Sequence, residues 1–345
     1  MSSFETLRAL MEIPGPTGQE QQVMAWLRER WAPKAERVWT SKVGNLLAHV
    51  GGRGPILLLQ AHADEIGFVV KSIDENGFVW LANAQAGVAN PTKRYPAGQP
   101  ALVVGRHQTI EGVFATVTGH ILNAQQRQKD ALEFDDLFVD IGVASRAEAL
   151  ERGVHVGAGV IWNPPVRRLG TRIYGKAIDD RVSLSIMTDL LESIDLNDLH
   201  YDLYFAATVQ EEIGLAGASS LRADVDADLA IALDNGLVGD IPTVSERDMP
   251  TVLGGGPTLV HKDHYVHYDV NIIWKLVDLA EQRGIPVQHA VYQQFGSDGA
   301  ALIRQGIPAA LLAPATRYTH SAFEMIDERD IDHTLALLSA FVTTR

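Results

Sequence analysis

The chain has 345 residues, 46% of them hydrophobic and 21% charged, a balance that suits a globular protein of about two domains. A formal net charge of −14 argues against a nucleic-acid partner, whose affinity is built on clustered Lys and Arg, and reads instead as solubility. The chain has no cysteine, so disulfides and thiolate ligands are excluded; any bound metal must be held by His, Asp and Glu, which favours zinc, cobalt or manganese. The opening Met1-Ser2-Ser3-Phe4-Glu5 has no basic region followed by an apolar stretch, and no run is long enough to span a bilayer. A cytoplasmic location without membrane contact is the expectation.

In chain order, Thr17-Gly18-Gln19-Glu20 has the spacing of a capping box, and Val23, Trp26, Leu27 and Trp31 recur at helical intervals, predicting a helix that ends at Trp31. Asn45–Ala48 and Ile56–Gln60 read as short strands separated by the turn-rich Gly51-Gly52-Arg53-Gly54. From Gly67 to Pro165 the pattern changes to short strands punctuated by Val and Gly: Gly67–Ser72, Gly77–Ala82, Ala101–Val104 and Gly112–Val117, with one helical stretch near Arg146–Arg152. This segment reads as an inserted small barrel or β-rich module, with a mobile polar loop over Leu122–Ala131. After Pro164-Pro165 the α/β alternation returns. It gives a helix over Arg181–Ser193, a strand to Gln210, a helix near Ala216–Arg222 and a strand to Leu233, then helices over Asp269–Arg283 and Arg329–Thr343. The predicted fold is α/β, a helix-flanked sheet interrupted by a β-rich insert.

Four of the apolar runs stop at or shortly before a metal-type ligand. Ile56–Gln60 leads into His62, Tyr201–Gln210 into Glu211-Glu212, Leu229–Leu233 into Asp234, and Ala309–Pro314 comes shortly before His320. In an open α/β sheet the carboxyl ends of the strands form one rim where ligands bind. With Asp179-Asp180, which follows Thr171–Ile178, that rim gathers enough donors for two divalent metals, and the chain reads as a metal-dependent hydrolase. Taken singly, each motif has an ordinary reading: a loop histidine beside Asp64, an aspartate pair salt-bridged by Lys176 and Arg181, a solvated strand end at Glu211-Glu212. Joint occurrence at strand ends favours the metal. Asp64 is a candidate to accept the second ring N–H of His62, and one of the Glu211-Glu212 pair can bind metal while its neighbour serves as general base.

His261, His264 and His267 are spaced by three rather than supplied from separate strand ends; they are expected at a solvated helix entrance and at most in contact with substrate. Spacing assigns no role to Glu65 or His120. No Gly-Xaa-Ser-Xaa-Gly elbow, Walker loop or dinucleotide fingerprint stands in a suitable strand-to-helix context, which weakens serine hydrolase, NTPase and dehydrogenase readings.

On these residues the chain resembles the M42 family of dinuclear metallo-aminopeptidases, which includes tetrahedral self-compartmentalising peptidases and relatives often labelled endoglucanases. The resemblance rests on Gly15-Pro16-Thr17-Gly18, Ala61-His62-Ala63-Asp64-Glu65-Ile66-Gly67, Lys176-Ala177-Ile178-Asp179-Asp180-Arg181, Glu211-Glu212-Ile213-Gly214, Gly296-Ser297-Asp298 and Arg317-Tyr318-Thr319-His320-Ser321, in that order. It implies a zinc-peptidase type catalytic domain over residues 1–66 and 166–345, interrupted at 67–165 by a PDZ-like oligomerisation domain. It further implies two divalent ions, Zn²⁺ or Co²⁺, with Asp179 bridging both, His62 and Asp234 completing one site and Glu212 and His320 the other. Glu211 would be the general base, Asp64 the orienter of His62, and Asp179-Asp180 a cis peptide. The implied activity is removal of N-terminal residues from short peptides by a homo-oligomer, a tetrahedral dodecamer built from dimers. N-acyl amino acid deacylation on the same metal pair is the alternative; glycoside hydrolysis fits less well, because it needs two carboxyl groups about 5 to 9.5 Å apart across a sugar. A non-catalytic scaffold is disfavoured by the complete ligand set.

Overall fold

The computed structural model describes residues 3–84, 97–128 and 136–344. An eight-stranded mixed sheet crosses the molecule in the order Arg37–Thr40, Leu46–Gly52, Asp202–Thr208, Ile56–His62, Leu229–Leu233, Ala309–Ala313, Thr258–Lys262 and Gln288–Val291. The four apolar runs that end near metal-type ligands are its four central neighbours. All are parallel, so their carboxyl ends open on one edge. Strands covered on both faces read as continuous apolar runs, and the pleat sends alternate side chains to opposite layers. Leu57 and Leu59 join the core beneath the helices Ser3–Glu12, Gln21–Trp31, Ile178–Ser193, Val270–Arg283 and Glu328–Val342. Leu58 faces the other layer, with Leu221 of a short 3₁₀ turn and Leu302 of the helix Asp298–Arg304.

A second sheet of five short strands, in the order Arg167–Leu169, Arg172–Gly175, Glu324–Asp327, Ala315–Arg317 and Gly236–Leu237, lies where the rim needs support. Its strands deliver the chain into Lys176–Asp180 and hold both flanks of His320. Six further strands close a barrel in the order Phe68–Ile73, Val79–Asn83, Phe138–Asp140, Thr109–Ala115, Pro100–Val104 and Gly159–Trp162. Phe68 stands 5.1 Å by ring centroid from both Phe114 and Trp162 inside it. This core also includes Ala322, two residues past His320.

Several expectations shift. The helix that ends at Trp31 starts at Gln21, and no side chain caps it. Thr17 does not close a capping box, because its hydroxyl donates to Asp64 Oδ2 at 2.9 Å, while the Glu20 carboxylate accepts from the Gly18 and Gln210 amides. The strand predicted to reach Gln210 stops at Thr208, where the chain turns through Gln210 at φ 55°. Ala216–Arg222 is a 3₁₀ turn over Ala218–Ala223. Helices Ser3–Glu12 and Asp298–Arg304 escaped the periodicity reading. Of the polar Leu122–Ala131 segment, residues 122–128 form an exposed turn pinned by reciprocal Asn123–Gln126 bonds, and 129–131 lie outside the described residues. No helix among the described residues is long and apolar enough to cross a membrane.

The helix Val270–Arg283 shows how local chemistry sets these boundaries. Asp269 accepts from the amides of Asn271 and Ile272 at 2.9 and 3.1 Å, and Gly284 ends the helix at φ 65°, a left-handed conformation that costs glycine little. Asp269→Ala is expected to destabilise the fold by about 0.5–2 kcal/mol in urea unfolding, the usual worth of an N-cap. A loss below about 0.2 kcal/mol would mean that tertiary packing alone sets this boundary.

Candidate metal centre

The rim is crowded with charge. His62, at the end of its strand and 2% exposed, points Nε2 at Asp179 Oδ1 at 3.0 Å, and its Nδ1 stands 3.2 Å from the Asp64 carbonyl and 3.5 Å from Asp64 Oδ1. Its backbone amide donates to Asp180 Oδ2 at 3.3 Å. The neighbouring strand registers Thr208 against His62, so Glu211 and Glu212 arrive beside it three and four residues later. His320 Nε2 reaches Glu212 Oε2 at 3.3 Å and Asp179 Oδ2 at 3.6 Å. Asp234 closes the cluster from the third strand. Every site residue expected from the sequence therefore lies at this rim.

Three groups offer one ligand atom per residue with all atoms within 4.8 Å of one another: His62–Asp179–Asp234, Asp179–Glu212–His320 and His62–Glu211–Glu212. Asp179 is common to the first two. The Asp179-Asp180 peptide is cis, as the resemblance implies. Non-glycine residues with positive φ also gather here: Ala177 at 55°, Gln210 at 55°, Tyr318 at 65° and His320 at 59°. Such backbone is costly for an L side chain and collects where the surroundings fix a functional geometry.

The donor chemistry fits divalent cations. Burial, reinforced by like-charged neighbours, pushes the carboxyls of Asp180, Glu211 and Glu324 well above the ordinary range, and Asp234 up to about 8. Burial works against a charged His320 ring, yet Glu212, Asp179 and Glu324 outweigh it and push its pKa up to about 10. For His62 burial is likewise overcome, by hydrogen bonds to Asp179 and Asp64, and its pKa stands well above 6.5. Buried acids that repel one another this strongly are matched by a multivalent cation. Glu212 Oε1 and Asp180 Oδ1 are buried without a hydrogen-bond partner, the condition of oxygens that await a further partner.

Asp64 does more than face His62. It accepts from Thr17 Oγ1 and from the amides of both Glu211 and Glu212, at 2.9, 3.0 and 3.2 Å, so one carboxylate fixes the imidazole and the paired glutamates together. Hydrogen bonds and the His62 charge overcome its burial and hold its pKa below the usual range.

Sequence reasoning missed several partners. Glu324 accepts from the Asp179 amide at 2.7 Å and the His320 amide at 3.3 Å, tying the two segments together. Asp298 accepts from Gln60 Nε2 at 2.6 Å and Thr208 Oγ1 at 2.5 Å, and burial raises it to about 7. Glu65 anchors a buried clamp: Lys176 Nζ donates to its two oxygens at 2.9 and 3.0 Å, Gly15 N donates at 2.9 Å, and Arg181 Nη2 lies 3.7 Å away. A Cβ at Gly15 would stand 2.5 Å from Arg181 Nη2, which explains glycine at that close approach. Of these, Glu65, Lys176 and Asp298 stand in the motifs on which the resemblance rests, without a role read for them, whereas Glu324 lies outside every motif.

His261, His264 and His267 do not share a helix entrance. His261 lies on the strand Thr258–Lys262 and meets His289, His264 Nδ1 meets the Gln293 carbonyl, and His267 bridges back to Lys262. His120 is exposed on a turn.

Comparison with known proteins gives these features a context. The model of the M42 glutamyl aminopeptidase family matches residues 44–337. Lysyl aminopeptidase of Pyrococcus furiosus is 28% identical over 99% of this chain and 97% of its own length. An aminopeptidase of the archaeon Desulfurococcus kamchatkensis superposes with a TM-score of 0.92 at 28% identity, covering 99% of this chain and 95% of that one. The Pyrococcus horikoshii TET1 peptidase, which assembles into a tetrahedron or a large octahedral shell, superposes at 0.87 with 26% identity over 99% of both chains.

Proposed function

The chain belongs to the M42 peptidase family and is a peptide-bond hydrolase, and from that premise we propose that it is a dinuclear metal-dependent aminopeptidase acting on short peptides. The observation that carries this reading is the pair of ligand groups that share Asp179. Asp179 would be held in common by two ions, His62 and Asp234 completing one set and Glu212 and His320 the other. Zn²⁺ and Co²⁺ suit this mixture of imidazole and carboxylate. When bound, such a pair supplies Lewis acidity, acidifying a water and polarising the scissile carbonyl.

The protein's own residues do the rest. Glu211 takes a proton from the attacking water and returns it to the leaving amine as the C–N bond breaks. Asp64, through the Glu211 amide, holds that base in place, and through His62 it fixes one edge of the ligand set. The free α-amine of a peptide would be held by the metal pair or by rim carboxylates, which is the basis of exopeptidase action. An N-acyl amino acid lacks that amine, so deacylation gains nothing from such a contact. Glycoside hydrolysis is disfavoured because Glu211 and Glu212 are adjacent in the chain and face the same ligands.

On this reading residues 67–165 are a PDZ-like insert used for oligomerisation, and 1–66 with 166–345 are the catalytic domain. The barrel supports that division, since its six strands run from Phe68 to Trp162, and its core takes in Ile66 and Ala322 from the catalytic part. Likeness to the TET1 peptidase, which forms a dodecamer and can assemble into a tetrahedron or a larger shell, supports a homo-oligomer; on this reading it is a tetrahedral dodecamer, and a cytoplasmic location is part of the same proposal.

Chelation tests the metal requirement. Dialysis against a chelator is expected to abolish cleavage of an unblocked dipeptide, and Zn²⁺ or Co²⁺ at about 100 times its dissociation constant to restore it while stabilising the fold by about 2.7 kcal/mol per independent site. Activity that survives chelation with no metal left by elemental analysis would defeat the proposal.

A further inference from the structure

The sheet ends in a feature that the hydrolase reading does not use. The strand Gln288–Val291 is the last of the eight, and its neighbour Thr258–Lys262 breaks register between Val260 and Lys262, leaving His261 in the irregularity. Such a bulge re-aims a side chain. Here it places His261 Nε2 2.9 Å from His289 Nδ1, with ring centroids 5.1 Å apart. His289 is exposed and His261 partly so, and no other His, Asp or Glu completes a three-residue ligand group with them among the described residues. The Trp274 ring, half exposed on the adjacent helix, lies 6.5 Å from the His261 ring.

We propose that His261 and His289 form a surface site for a late first-row divalent cation of tetragonal preference, Cu²⁺ or Ni²⁺, separate from the catalytic cluster. In the structure the two nitrogens share an N–H···N hydrogen bond of 2.9 Å, so both stand within reach of one ion once that bond is given up. Ligand type selects the class of ion: among the first-row divalents affinity rises through Ni²⁺ to Cu²⁺, and imidazole suits both. Rotation of the two partly free rings about χ2 turns both lone pairs onto one ion, and water fills the remaining positions. Burial and the neighbouring ring lower the His261 pKa, which keeps that imidazole neutral and able to donate its lone pair. Two protein ligands make this an exchangeable site; closed structural sites use four.

The test uses the full chain saturated with Zn²⁺ and desalted, titrated with Cu²⁺ in parallel with His261→Gln and His289→Gln. Wild type is expected to take up about one Cu²⁺ per chain more than either variant at equal free copper, with a paramagnetic signal coupled to two imidazole nitrogens. It is also expected to lose a component of tryptophan emission that Trp274→Phe lacks. Copper displacing zinc from the catalytic cluster appears equally in all proteins and cancels in the difference. Equal uptake by wild type and both variants overturns the site, as does extra copper in wild type without two-nitrogen coupling.

Discussion

Glu211→Gln is expected to lower kcat on an unblocked dipeptide by about 10²- to 10⁴-fold, the usual worth of a general base. The substitution keeps the shape of the side chain and removes only its ability to take a proton. KM should move little, because the amide still fills the same space. Metal content discriminates between the two roles open to this residue, since Glu211 also lies within reach of His62 and Glu212 in one of the three ligand groups. Two ions per chain in an inactive variant identify a base; loss of one ion identifies a ligand, and the proton transfer must then be assigned elsewhere. Asp64 couples to the same position through the Glu211 amide, so Asp64→Asn should reduce kcat and metal affinity together.

Lys176→Met is expected to be the most destabilising single change, by about 3–5 kcal/mol in urea unfolding, because it leaves a buried carboxylate without its closest cation. Glu65 and Lys176 are 2% and 5% exposed, and the pair joins the Ile13–Gly15 loop, the Asp64 segment and the entry to Asp179. Burial draws the Lys176 pKa down while Glu65 opposes it, so the ammonium depends on this partner. The double variant Lys176→Met/Glu65→Leu should recover part of the loss, since removing both charges spares the stranded one. Recovery will be incomplete, because the Gly15 amide also donates to Glu65. A single-variant loss below about 1 kcal/mol would show the clamp to be no stronger than a surface ion pair.

The rim was legible because its physics is local. Apolar runs such as Leu229–Leu233 and Ala309–Ala313 are continuous because both faces of a parallel strand are covered, and a ligand placed just after such a run has only one edge to occupy. The barrel was legible as a change in strand length and glycine frequency. What escaped has its cause elsewhere in the chain. Glu324 matters through the amide of Asp179, 145 residues away, and Thr17 through a carboxylate 47 residues on. A capping-box spacing at Thr17 is indistinguishable in sequence from a hydroxyl recruited to a distant carboxylate, and tertiary context decided it. Helix Asp298–Arg304 is too short to develop a period, and its first residue serves Gln60 and Thr208. The histidines at 261, 264 and 267 looked like one feature because of their spacing, whereas each meets a different partner: His289, the Gln293 carbonyl and the Lys262 backbone.

The central claim is best tested by release of free amino acids from matched unblocked and N-acetylated dipeptides and tripeptides, with Zn²⁺, Co²⁺ or Mn²⁺ added and with Glu211→Gln alongside. Metal-dependent cleavage confined to the unblocked set, and lost in the variant, is the predicted result. Cleavage of the acetylated set instead would contradict the account and move the activity to a deacylase.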